Sequence, residues 1–358
     1  MGRTATRLGL VMVCVAMAAA LAACGSSRGG ATNAASINPL TATVPASTIP
    51  ADTPVEPGIF RLTGQASLEL DLVRTSAALG YVGREGLSMR VRAAASEDDV
   101  LAALRSGAAD AAVVSSDQAL ILAAKGAPIR IVLLLTTVTS GEAILARSDV
   151  GDVSELVGRR VTYAAGTEGE LLLRGTFTAN DVPITEVELV RSGGRSPGAM
   201  LQEGAVDAAV MTGVEATATL AADGDVAPIA TAGEQPGLLS HVLVVREETA
   251  ATRPGQVLAF VRAWGDLYPF ERDRTDVVAA GIAAMQDVTV EEATAELEGI
   301  ALYDISANAI DLLPGGAYYD QTLTQIDAAA TAAGWLPAPV DARALIDGSF
   351  AQTVASAR

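Results

Sequence analysis

From Gly58 onward, short apolar runs alternate with polar stretches punctuated by glycine, and the spacing inside each run assigns its element. Ile59 to Leu62 predicts a short strand and Thr63 to Ser67 a loop. The apolar positions from Leu68 to Leu79 fit a helix, with Ser67 as its N-cap and Gly80 as its stop. Leu87 to Arg92 alternates and predicts a second strand. Ser96 and Asp99 have capping-box spacing ahead of a helix that Gly107 ends. Ala111 to Val114 predicts a third strand, Gln118 to Ala124 a helix, and Ile129 to Leu135 a fully apolar fourth strand. Nearly continuous apolar strands alternating with helices predict an α/β fold whose parallel sheet is covered on both faces.

The rhythm breaks at Thr136 to Gly141, which is polar, and resumes with an extended segment from Glu142 to Arg147. A first crossing to a second lobe is expected here. Val161 to Ala164 then predicts a strand, Gly166 to Gly169 a loop, Glu170 to Phe177 a helix and Thr185 to Val190 a strand. Ser196 caps a helix that has Pro197 at its first position, where a missing N–H costs nothing. Ala227 to Ala230 is a further short strand, and His241 to Val245 is β-branched and expected to carry the chain back to the first lobe. Helices follow from a Thr252 cap to Tyr268, from a Thr289–Glu292 capping box over 290–298, and over 319–333 and 341–348. This helical tail is expected to pack mainly on the first lobe.

One pattern occurs twice. Leu104, Gly107 and Asp110-Ala111-Ala112-Val113 recur with the same spacing as Leu201, Gly204 and Asp207-Ala208-Ala209-Val210. Each copy reads as a helix end, a glycine stop and a short buried strand. Each is followed by a polar turn and an alanine-rich helix, the turns being Ser115 to Gln118 and Thr212 to Glu215. Two α/β units of repeated topology predict two similar lobes, with boundaries at 57–141, 142–237 and 238–358.

The N-terminus carries a different signal. Arg3 and Arg7 precede an apolar stretch from Leu8 to Leu21, followed by Leu21-Ala22-Ala23-Cys24. A basic start, an apolar core and small residues at the cut read as an export signal over 1–23. The apolar stretch is too short for a lasting membrane span. Cys24 directly after Leu-Ala-Ala resembles the lipobox of bacterial lipoproteins. That resemblance implies cleavage before Cys24, lipid on its sulfur, and an exported protein anchored to the bacterial cell envelope, facing outside the cytoplasm. Residues 25–56 are mostly Gly, Ser, Ala, Thr and Pro with almost no charge, which predicts a flexible tether between the lipid on residue 24 and the folded body.

Composition narrows the chemistry. With 358 residues and 50% hydrophobic content, the chain can build two real cores. The formal charge of -18, and -20 once Arg3 and Arg7 leave with the leader, argues against nucleic acid as a partner. Cys14 lies in the leader, so a mature chain has no internal disulfide. His241 is the single histidine and opens an apolar strand, so a structural or solvent-edge role is expected for it. No Gly-x-Gly-x-x-Gly follows a strand and no Gly-Lys-Ser/Thr occurs, so no cofactor and no metal site is expected.

Ligands of α/β sheets bind outside the carboxyl ends of strands, where helix N-termini present free N–H groups. Four loops fall there: Gly64, Gln65 and Ser67; Ser115, Ser116 and Asp117; Gly166, Thr167 and Glu168; and Thr212 with Glu215. The hydroxyls suit an oxygen-rich or anionic group. Asp117, Glu168 and Glu215 would repel a bare anion and pair with an amine, so a zwitterion or an amino-bearing heterocycle fits better.

Several stretches together resemble nitrate/sulfonate/taurine-type substrate-binding proteins of ABC transporters, a group that also holds proteins for thiamine-pyrimidine precursors. They are Gly80-Tyr81 through Glu85-Gly86-Leu87, the Leu-x-x-Gly-x-x-Asp-Ala units at 104–111 and 201–208, and Asp152 to Val161. The last copy has Arg159 where Lys is usual. The resemblance covers roughly 58–350 and implies a periplasmic-binding-protein type 2 fold, two α/β lobes joined by two crossovers around a cleft. It implies a small-molecule solute, partnership with ABC permease subunits, and cleft loops at Thr63 to Ser67, Ser115 to Asp117, Gly166 and Thr167, and Thr212 and Glu215. A monomer is expected. Two alternatives stay open: an exported enzyme on the same fold, and a lipoprotein that senses or scaffolds.

Overall fold

The computed structural model describes residues 47–222 and 224–358. The expected leader, Cys24 and the first part of the expected tether lie outside the described residues.

The chain first builds β1 (Ile59–Gln65), α1 (Leu68–Ala78), α2 (Tyr81–Arg84), β2 (Ser88–Ala94), α3 (Glu97–Ser106), β3 (Ala111–Ser115), α4 (Ser116–Ala124) and β4 (Ile129–Val138). Ser67 and Ser96 cap α1 and α3 through their side chains, as their spacing predicts. The strand β1 runs further than expected, taking in Thr63, Gly64 and Gln65, because these residues pair with Arg92, Ala93 and Ala94 of β2. A Cβ at Gly64 would stand 2.6 Å from the Val113 carbonyl oxygen, so glycine permits the close approach of β1 to β3. The expected polar turn at Ser116 and Asp117 is the first turn of α4.

The chain then crosses and forms β5 (Ala143–Arg147), β6 (Arg160–Tyr163), α5 (Glu168–Ala179), β7 (Glu188–Arg191), α6 (Pro197–Gln202), β8 (Ala208–Met211), α7 (Gly213–Ala222) and β9 (Val226–Thr231). A 3-10 turn at Ile184–Glu186 replaces the first half of the strand expected at Thr185 to Val190. The return strand β10 (Ser240–Arg246) enters the first sheet, as its apolar run predicts. The first sheet then has the order β4-β10-β3-β1-β2, and the second β9-β5-β8-β6-β7.

These sheets are mixed, not parallel. β10 runs antiparallel to β3 and β4, and β5 runs antiparallel to β8 and β9. The reason is the crossing itself. Each of these strands arrives through a short connection from the other lobe and so enters its sheet at the end where the parallel strands finish.

The repeated aspartate locks both sheets in the same way. Asp110 accepts from Arg61 N at 2.8 Å and from Arg61 Nη2 at 2.7 Å, and Arg253 also donates to it. Asp207 accepts from Arg160 N at 2.9 Å and Arg160 Nη2 at 3.3 Å. In both lobes the carboxylate thus ties the start of the central parallel strand to the start of its neighbour. Burial alone would raise both carboxyls, yet the hydrogen bonds from arginine outweigh it and hold them below the usual range.

The tail comprises α8 (Glu247–Thr252), α9 (Pro254–Asp273), α10 (Thr275–Gln286), α11 (Val290–Glu298), β11 (Ile300–Leu302), α12 (Ile305–Asp311), α13 (Leu323–Ala333) and α14 (Ser349–Ser356). β11 joins the first sheet beside β4. The capping box at Thr289 and Glu292 forms as expected. Thr252 does not cap α9. It ends α8, and its hydroxyl donates to Glu248 O at 2.7 Å. The N–H groups at the start of α9 go to the Glu56 carboxylate instead, from Gly255 at 3.1 Å and Gln256 at 3.0 Å. The tether expected through residue 56 therefore ends earlier. Ser47 also bonds Thr353 of α14 at 2.7 Å. A π-helical turn at Tyr318–Thr322 leads into α13, and the expected helix at 341–348 is only a 3-10 turn at Arg343–Leu345. Most of the tail packs on the first lobe, and α13 also meets α5 of the second. Among the described residues no helix is long and apolar enough to cross a membrane.

Candidate functional site

The two strands that follow the crossings begin beside the carboxyl ends of the parallel strands: β10 starts opposite Ser115 of β3 and β5 opposite Met211 of β8. His241 marks the first-lobe side of this junction. It pairs with Ser115 at the end of β3 and with Thr136 near the end of β4. Its Nδ1 lies 3.4 Å from Oε1 of Glu69, and among the described residues this buried nitrogen has no hydrogen-bond partner. Glu69 is itself buried in the first turn of α1 and accepts from Thr136 Oγ1 at 3.0 Å.

Two predicted residues join this group. The Asp117 carboxyl is raised from its ordinary range by burial, which outweighs a hydrogen bond from the Ser115 hydroxyl and the attraction of His241. Glu168, from the second lobe, is raised by burial and by the charges of Asp117 and Glu69, against the attraction of His241. A fourth acid, Glu142, sits just before β5 and is pushed up to about 7 by burial and by the charge of Glu168. Glu69 and Asp117 of one lobe therefore share a partly desolvated field with Glu142 and Glu168 of the other, with one imidazole among them.

The other predicted residues have different placements. Gln65 Oε1 accepts from Gln118 Nε2 at 3.3 Å, and Ser67 is occupied as a helix cap. Ser116 is fully buried between the Ser240 hydroxyl at 2.8 Å and the Tyr318 hydroxyl at 2.7 Å. Burial pushes the Tyr318 phenol above its usual range. Gly166 has φ of 76° and donates its N–H to Glu170 Oε2 at 2.9 Å. The Thr167 hydroxyl donates back to Ala164 O at 2.8 Å. Glu215 accepts from Gly198 N at 3.0 Å and from the Ser196 hydroxyl. Thr167, Gly169, Ser192, Arg195, Thr212 and Glu215 line a second-lobe pocket of about 250 Å³.

Sequence reasoning missed Glu69, Glu142 and the company that His241 keeps. Glu69 reads as an ordinary acid in a helix first turn, where it suits the dipole. Glu142 stands at the edge of a polar connection. Nothing local shows that they converge.

Comparison with known proteins now adds the family. In solved structures the fold is similar to the periplasmic aliphatic sulphonate-binding protein SsuA from Escherichia coli, with 16% identity, a TM-score of 0.63, and coverage of 82% of this chain and 92% of that one. A putative sulfonate-binding SsuA from Methylobacillus flagellatus KT matches at 15% identity and a TM-score of 0.65, covering 84% and 94%. The desulfurization enzyme DSZB, solved as a C27S mutant with biphenyl-2-sulfinic acid, matches at 19% identity and a TM-score of 0.55, covering 83% and 99%. The fold is that of periplasmic binding proteins, two α/β lobes with a chain that crosses between them twice. No curated protein sequence matches the chain. A family model described as NMT1/THI5 like matches residues 74–268, more than half of the chain, and the protein belongs to that family.

Proposed function

We propose that the protein is an extracytoplasmic solute-binding lipoprotein that hands a small polar solute to an ABC importer. What supports this reading is the two-lobed fold shared with sulfonate-binding periplasmic proteins, with Glu168 of the second lobe in the electrostatic field of Asp117, Glu69 and His241 of the first. The lipobox-like Leu21-Ala22-Ala23-Cys24 supports export and anchoring by lipid on Cys24. Solute reaches one lobe in an open form, and closure brings the second lobe's groups onto it. A permease that contacts both lobes then reads the closed form, and the solute's preference for that form sets how far the population shifts.

Native mass spectrometry of the mature chain, purified without denaturant and titrated with taurine, alkanesulfonates, aminopyrimidines, amino acids and nitrate, tests this reading. One small mass bound and displaced by a competing solute is the expected result. Thr212→Ala, in the wall of the second-lobe pocket, is expected to weaken binding several-fold. An empty protein throughout, with no thermal shift, would move the assignment to a sensor or scaffold. The similarity to a desulfurization enzyme favours one other reading, an exported enzyme. Turnover of a bound solute by the purified chain, without a transporter, would establish it.

A further inference from the structure

The chain leaves β7 through a tight turn, Ser192 to Arg195, closed by Arg195 N donating to Ser192 O at 3.0 Å. Its two central residues, Gly193 and Gly194, have φ of 61° and 86°, a pair of values that glycine adopts at little cost. The turn sets Ser192 beside the end of β6, where its N–H donates to Tyr163 O at 2.9 Å. Ser192 is 9% exposed and lines the second-lobe pocket of about 250 Å³. Among the described residues its hydroxyl has no hydrogen-bond partner, which is costly for a group so buried, and an occupant that bonds it removes that cost. The start of α5 faces the same pocket through Thr167 and Gly169. The Thr167 hydroxyl donates to Ala164 O at 2.8 Å and does not cap α5, so the first N–H groups of this 12-residue helix carry no side-chain cap. Ala164, Pro197, Val210 and Met211 make the rest of the wall largely apolar. The charges at the rim are spoken for. Arg195 is paired with Glu203 at 2.6 Å, and Glu215 brings a carboxylate that accepts from Gly198 N at 3.0 Å.

We propose that this pocket seats an uncharged hydrogen-bond acceptor of the solute, a carbonyl or amide oxygen on a small apolar body, and that Ser192 is the residue that selects it. The inference rests on the solute-binding reading above and names the group that the second lobe recognises. The Ser192 hydroxyl and the uncapped N–H groups of α5 are donors in search of an acceptor. The apolar wall takes the carbon body of that group out of water. Glu215 decides the charge. Its carboxylate lies in the same wall and disfavours an acceptor with a full negative charge, and Arg195, held by Glu203, is not free to offset it. A cation would pair with Glu215 but would face the positive end of α5. A neutral acceptor satisfies the hydroxyl and the N–H groups and meets neither repulsion.

The test is a nuclear magnetic resonance titration of the mature chain, labelled at its methionine methyls, with benzamide, benzoate and benzamidine. These three probes share one size and shape and are neutral, anionic and cationic. Met211 lines the pocket, and Met211→Leu identifies its signal. Benzamide at millimolar concentration should move the Met211 signal saturably and bind about tenfold or more tighter than either charged probe. Ser192→Ala should weaken benzamide about threefold to tenfold and leave the Tm unchanged, because the hydroxyl has no partner to lose in the free protein. The charge series uses the unmutated chain, so it decides the matter even where a variant fails to fold. Benzoate or benzamidine binding as tightly as benzamide, or an unchanged benzamide affinity in folded Ser192→Ala, would overturn the neutral-acceptor assignment. A Met211 signal that moves with none of the three would overturn the pocket as a seat for the solute. A solute found in that case by native mass spectrometry would leave the solute-binding reading intact, and silence there as well would overturn both.

Discussion

Replacing Asp110 by alanine probes how the first lobe is locked. Its side chain is fully buried and accepts from the Arg61 backbone N–H, from two nitrogens of the Arg61 guanidinium and from Arg253. Alanine would leave the buried Arg61 N–H without an acceptor and two guanidiniums without their counter-charge. Asp110 is fully buried, while the Arg61 and Arg253 side chains are 42% and 24% exposed, so removing it costs about 3 kcal/mol, the lower end for a buried ion pair. For a chain of this size that is a fall in Tm of roughly 6 °C. Asp207 is the internal control. It is the same device in the second lobe, but its side chain is 20% exposed and, among the described residues, only Arg160 pairs with it. Arg160 also donates to Ala205 O, at 2.5 Å. Asp207→Ala should therefore cost about 1–2 kcal/mol, or roughly 2–4 °C.

Thermal melts of both variants from pH 3 to 7 give a second check. The folded Asp110 carboxyl is held below its unfolded value of about 4, so its contribution is complete above that pH and fades as pH falls through the folded value. The gap between the unmutated chain and Asp110→Ala should narrow in acid. A Tm change for Asp110→Ala no larger than that for Asp207→Ala, or a gap independent of pH, would refute the argument that burial makes this pair costly to break.

Glu142 has the opposite sign to Asp110: burial and the Glu168 charge raise it to about 7, so the folded protein keeps a proton that the unfolded chain loses near 4. The free protein should lose about 1 kcal/mol as pH rises from 5 to 8, a figure reduced for the partial exposure of the group, and denaturant melts of Glu142→Gln should lack that slope. Parallel curves would show that Glu142 titrates normally. Gly64→Ala should cost about 2–3 kcal/mol, because its Cβ would press on the Val113 carbonyl, whereas Gly83→Ala, with open space around it, should be neutral or slightly stabilising by the same melts. Ser116→Ala should lower stability by about 1–2 kcal/mol through the lost bonds to Ser240 and Tyr318. Solute affinity in that variant, read by titration, should stay within about twofold, since the hydroxyl is sealed from the cleft.

The two-lobed α/β plan was legible in the chain's local patterns. Apolar period, glycine stops and capping residues act over a few neighbouring positions, so the caps at Ser67, Ser96, Ser196 and Thr289 and the return strand at Val242 to Val245 could be read directly. The repeated Asp110 and Asp207 announced two related lobes, although their partners Arg61 and Arg160 gave no local sign of the pairing. Strand direction emerged only on folding, because a strand's own pattern is the same whichever way its neighbour runs. Folding alone decided that Glu56 caps α9 in place of Thr252. It also decided the character of the cleft. Ser116 and Glu215 read as free polar groups in loops, but through-space partners engage both. By local pattern alone Glu69 is an acid within a helix, Glu142 the start of an extended segment and His241 a strand start. They become one electrostatic group because residues far apart in the chain meet where burial disfavours their charged forms and strengthens the coupling between them.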